Sequence, residues 1–238
     1  MIFYVFDTCA VKFKYFDSPQ PVNPKEPTSQ EQYEIKRYER VQNSLAYITA
    51  QWVDKKAMLI IPNFVIAEML NIFAFHHYRE LKKSARVAKK DYERVKDIFI
   101  GQIRYSGKQS IQERIQSKKY FFNYELNRHH LLNLDKIFPI EHSTPPLKRE
   151  VNMRYGDCEL SAFDLLLISV AIELETLVGE GTVFIVTTEK RILDVCKKGK
   201  FPACYKIDAV TNPEKQLPKI EVDQKINIPI PSKSVSRK

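Results

Sequence analysis

Glycine is scarce in this chain, with six residues in 238. No G-x-G-x-x-G turn and no Walker loop can be traced, which excludes nucleotide binding through a glycine-rich phosphate cradle. No apolar run approaches the roughly 18 residues of a membrane-spanning helix, and the first residues lack the basic region and cleavage site of a secretory leader. The four cysteines, Cys9, Cys158, Cys196 and Cys204, show no CxxC spacing. Reduced thiols in a cytoplasmic protein are the expectation. His76-His77 and His129-His130 do not form an HExxH pattern, and no serine sits in a GxSxG elbow.

Acidic residues are outnumbered, 29 against 38 Lys and Arg, for a formal charge of +9. Residues 79–119 hold thirteen Lys/Arg and five Asp/Glu, so this one segment carries most of the excess. Such a concentration suits a polyanion, because neutralising phosphates releases condensed counterions, although a solvated helix face has the same composition. Hydrophobic content of 44% and charged content of 28% are those of an ordinary globular protein.

The apolar patterning predicts alternating strands and helices. Buried strands are expected at Ile2–Phe6, Met58–Ile61, Ile137–Glu141, Val183–Val186 and Ala203–Ile207. Prolines 19, 21, 24 and 27 break the chain before a long helix that a Ser29/Gln32 capping box opens and that runs to about Val53. Further helices are expected from Pro62 to about Tyr78, from about Pro146 to Tyr155, from Ser161 to about Leu177 and from Lys190 to Lys198. This alternation points to an α/β fold with a mainly parallel sheet covered on both faces. A single domain is expected over residues 1–210, with a basic helical insertion at about 79–136 and an extended or disordered, proline- and lysine-containing tail at 211–238.

Four acidic residues stand in apolar surroundings. Asp7 ends Ile2-Phe3-Tyr4-Val5-Phe6, and Glu68 has Phe64, Val65, Ile72 and Phe75 as its helical neighbours. Asp164 precedes Leu165-Leu166-Leu167-Ile168, and Glu189 follows Val183-Phe184-Ile185-Val186 by two threonines. Isolated carboxylates are costly to bury, so a gathered set suggests a bound cation. Other roles stay open: helix capping for Asp7 and Asp164, an ion pair for Glu68, a helix N-terminal charge for Glu189.

Read in order, Tyr4-Val5-Phe6-Asp7-Thr8, Ile61-Pro62-Asn63-Phe64-Val65-Ile66-Ala67-Glu68, Leu160-Ser161-Ala162-Phe163-Asp164-Leu165-Leu166 and Ile185-Val186-Thr187-Thr188-Glu189 resemble the motifs of the PIN-domain nucleases. That family includes the toxin ribonucleases of bacterial toxin–antitoxin pairs. The resemblance covers residues 2–16, 58–76 and about 137–208. It implies a three-layer α/β/α sandwich with about five strands and a metal-dependent endoribonuclease site built from Asp7, Glu68 and Asp164. Thr187 matches a hydroxyl position in the fourth motif, and Thr8 stands beside Asp7 as a supporting residue. In the family the fourth acidic position is usually Asp, where this chain has Glu189, and Cys9 replaces a small polar residue. Segments 17–57 and 77–136 exceed those of the compact toxins.

An all-oxygen ligand set selects Mg²⁺ or Mn²⁺. On this reading Asp7 and Asp164 bind the metal directly, Glu68 binds it or orients water, and Glu189 acts through water or a second ion. Lys82, Lys83, Arg86, Lys89, Lys90 and Arg104 would grip an RNA backbone, and Tyr105, Tyr120, Phe121 and Tyr124 either stack on bases or pack within the insertion. RNA is the expected partner, with an antitoxin-like protein or a second copy of the chain open as protein partners, and no membrane. A rival expectation is a catalytically weak or inactive module of the same fold that binds RNA or assembles with protein.

Overall fold

The computed structural model describes residues 1–14, 18–79, 96–97, 121–124, 126–145 and 160–219. Lys82, Lys83, Arg86, Lys89, Lys90, Arg104, Tyr105, Tyr120 and the helix expected over 146–155 lie outside the described residues.

Five strands, β1 (Ile2–Phe6), β2 (Ala57–Pro62), β3 (Phe121–Tyr124), β4 (Val183–Thr187) and β5 (Ala203–Lys206), lie in the order β3-β2-β1-β4-β5. Every neighbouring pair is parallel. All residues of β1 and β2 are buried. Side chains alternate across a strand, so both faces of the sheet centre are covered, which is why these runs are continuously apolar. The α/β class expected from the sequence is the class observed.

Around the sheet lie α1 (Thr8–Lys12), α2 (Ser29–Val53), α3 (Asn63–Arg79), α4 (Arg128–Ser143), α5 (Ala162–Val178), α6 (Lys190–Gly199) and the single turn α7 (Pro213–Gln216). Buried residues Val41, Ser44, Ile48 and Gln51 form one stripe of α2 at helical spacing. Gln51 accepts a hydrogen bond from the Tyr4 hydroxyl at 3.3 Å. Asp208, in a 3₁₀ turn after β5, is buried and holds Arg37 Nε at 2.7 Å and Lys206 Nζ at 2.6 Å, tying α2 to the far edge of the sheet.

Several expected elements differ. Residues 137–141 are not a strand but lie inside α4, whose buried face is His130, Asn133, Ile137 and Glu141. That i, i+3, i+4 stripe is helical, but its polar members hide it from an apolar pattern. The edge strand is instead Phe121–Tyr124, so the expected insertion of 79–136 contains a strand of the sheet and the start of α4. The cap of α2 is Thr28 with Glu31 rather than Ser29 with Gln32. Pro62 closes β2 and α3 starts at Asn63. The expected tail begins with structure: α7 follows Thr211, Leu217 is buried, and the Pro218 carbonyl accepts from Gln51 Nε2 at 3.1 Å.

The topology matters for function. From β1 the chain builds outward to β2 and β3, then returns to place β4 on the other side of β1. The strand order therefore reverses between β1 and β4, and in open α/β sheets ligands bind outside the carboxyl ends of the strands at such a switch point.

Candidate active site

Asp7 follows the last residue of β1, and Thr187 is the last residue of β4. Because Phe6 pairs with Val186, these two residues stand side by side at the switch point. The Thr187 hydroxyl donates to Asp7 Oδ2 at 2.6 Å. Its oxygen also accepts the Glu189 backbone N–H at 2.9 Å, so one side chain fixes the carboxylate and the start of α6 together.

Asp7 occupies the N-cap position of α1, yet its side chain makes no capping hydrogen bond. The capping role is thereby set aside. Its Oδ2 accepts from Cys9 Sγ as well as Thr187, while Oδ1 has no donor among the described residues. The residue is buried, at 5% exposure, and forms no ion pair with any described cation. Burial pushes its carboxyl up to about 6, against the lowering effect of the Cys9 and Thr187 hydrogen bonds, and the negative charges of Asp164 and Glu189 push the same way as burial.

Cys9, which stands where the resembling family has a small polar residue, belongs to this arrangement. Burial and then the Asp7 charge push its thiol well above the usual range, so it stays protonated and donates. Its sulfur also accepts the Thr188 backbone N–H at 3.1 Å. Its place two residues after Asp7 was the only sequence signal for this role, since the other partners are remote in the chain.

The remaining carboxylates are less deeply placed than their apolar neighbours suggested. Glu68 on α3 is half-buried, and its Oε2 accepts from the Thr8 hydroxyl at 2.5 Å. It forms no ion pair with the described cations. Thr8 follows Asp7 directly, which links Glu68 to the same corner of the sheet.

Asp164 is half-buried at the third position of α5 and closes a full capping box. Its Oδ2 accepts from the Ser161 N–H at 2.9 Å and the Ser161 hydroxyl at 2.8 Å, leaving Oδ1 without a described donor. The capping role is therefore real, and it also orients the carboxylate. Glu189 is exposed at the N-cap of α6 and makes no capping hydrogen bond.

The structure thus brings Asp7, Thr187 and Cys9 into direct contact, places Asp164 and Glu189 within electrostatic reach of Asp7, and joins Glu68 through Thr8. Among the described residues, no group of three or more His, Cys, Asp or Glu side chains is close enough to hold a metal ion. No described helix is long and apolar enough to cross a membrane. Comparison with protein-family models, with curated proteins and with solved structures finds no match to this chain.

Proposed function

We propose that the chain is a metal-dependent endoribonuclease of PIN-like, three-layer α/β/α architecture, hydrolysing RNA phosphodiester bonds at the Asp7 corner with Mg²⁺ or Mn²⁺. The observation that carries this reading is Asp7 itself. A buried carboxylate that caps no helix, with one oxygen lacking a donor among the described residues, stands at the switch point, two further carboxylates raise its proton affinity, and no described cation offsets them. A hard divalent cation is the chemistry that relieves such a cluster, since every donor is oxygen. The residues fit that cation by donor type and charge, although their side chains are not drawn together as a closed ligand shell.

On this reading Asp7 offers Oδ1 while Thr187 and Cys9 hold Oδ2 in place. Asp164 offers its free oxygen from a carboxylate whose other oxygen is fixed by the helix cap. Glu68, steadied by Thr8, binds or orients the attacking water, and exposed Glu189 contributes through water. The bound ion supplies an activated water and stabilises charge on the scissile phosphate. The loose placement of Asp164 and Glu189 favours one rival: a catalytically weak RNA-binding or assembly module with the same corner.

A cleavage assay on structured and unstructured RNA, with and without Mn²⁺, separates the two. Wild type should cut in Mn²⁺, and Asp7→Asn should reduce the rate at least about 100-fold, as expected when a group stabilising transition-state charge is lost. Mn²⁺ should also raise the melting temperature of wild type but not of Asp7→Asn. Equal cutting by both proteins refutes the assigned site, and chelator-insensitive RNA binding without cleavage supports the rival.

A further inference from the structure

We propose that Phe163 is a stacking platform for an unpaired RNA base next to the scissile bond; this rests on the ribonuclease reading of the Asp7 corner. Phe163 is the second residue of α5 and immediately precedes Asp164. Phe64 is the second residue of α3, one turn before Glu68. Their rings lie nearly parallel, 10° apart in orientation with centroids at 5.9 Å, an offset stack that bridges the starts of the two helices bearing Asp164 and Glu68.

The two rings are unequally covered. Phe64 is 7% exposed, whereas Phe163 is 41% exposed. Phe64 therefore acts as a rigid backing, and Phe163 turns apolar surface to solvent one residue before Asp164. A phenyl side chain contributes little to a helix start, and Ala162 and Asp164 already supply the helix former and the cap. A flat, supported, exposed ring is what an unpaired nucleobase stacks on, irrespective of sequence, because every base has a π-face. Bases within a duplex are already stacked on each other, so the platform selects single-stranded substrate.

The test uses full-length Asp7→Asn protein and short single-stranded RNAs with 2-aminopurine scanned through each position. At one position the fluorescence should be quenched on binding, and Phe163→Ala in the same background should lose the quenching and bind roughly tenfold more weakly. Phe163→Trp should retain both. The corresponding duplex should show no quenching with any variant. Unchanged quenching and affinity in Phe163→Ala overturn the proposal, and an unaltered melting temperature for that variant excludes misfolding as the cause. Cleavage by wild type measures the underlying reading separately. Phe163-dependent quenching without Mn²⁺-dependent cleavage sinks the ribonuclease and leaves an RNA-binding platform. Cleavage without Phe163-dependent quenching does the reverse.

Discussion

Asp7 destabilises the fold that holds it, and the sign of that effect can be read from proton binding. Its carboxyl lies at about 6 when folded against the ordinary 3.8. Between those two values the folded chain binds the extra proton and the unfolded chain does not, so stability falls as pH rises through the window. The loss is complete above about pH 6 and amounts to on the order of 3 kcal/mol. In chelator, Asp7→Asn should therefore be the more stable protein at pH 7.5 and nearly equal to wild type at pH 4, since an amide oxygen keeps both the Thr187 and Cys9 donors. Urea melts across that range would show it, and parallel curves for the two proteins would mean that Asp7 carries no such strain. Asp7 was legible in the sequence because a charge at the end of a continuous apolar strand is expensive to place. Cys9 was not, because its meaning comes from Thr187 and Thr188, which reach it only through the β1–β4 pairing.

Helix α4 shows where pattern reading fails at the level of an element. Its sequence offers Ile137, Phe138 and Ile140 close together, which looks like a strand, yet Phe138 is exposed and the buried face carries His130, Asn133 and Glu141. A helix that buries polar groups has to satisfy them with partners that are remote in sequence. Arg191 from α6 does this at the carboxyl end, bonding Glu141 Oε1 at 2.9 Å and the carbonyls of Glu141, Thr144 and Pro145 at 2.9, 3.2 and 2.7 Å. Contacts of this kind to side-chain and backbone oxygens cannot be inferred from hydrophobic spacing. Glu141 is fully buried, so Arg191→Met should cost about 3–5 kcal/mol by stranding its charge, and adding Glu141→Leu should recover much of the loss. A double-mutant cycle on urea midpoints measures both. A simple additive pair of losses would show that the two groups contribute independently. By contrast, β1, β2 and β4 were legible because each buries apolar residues nearly throughout.

At the scale of the whole molecule, charge is unevenly distributed along the chain. Asp7 lies within electrostatic reach of Asp164 and Glu189, while the positive excess is concentrated in residues 79–119. The α/β class followed from alternation alone, but the position of β4 beside β1 did not, since no local pattern encodes which strand the chain returns to. That return sets Thr187 beside Asp7, and on the proposed ribonuclease reading RNA attraction would fall to charges elsewhere in the sequence. If those charges grip the backbone, binding must weaken with salt in proportion to the phosphates neutralised, with a slope of about −0.7 in log K against log salt for each phosphate on a single strand. Replacing Lys82, Lys83, Arg86, Lys89, Lys90 and Arg104 with Gln in the Asp7→Asn background should then flatten the slope by up to about 4. Quenching at Phe163 should survive at low salt, because a stacked base is held by its π-face rather than its phosphate. A slope unchanged by the six substitutions would move the grip away from this segment, and the described cations Arg37, Arg40 and Lys206 around Asp208 would be the next to replace.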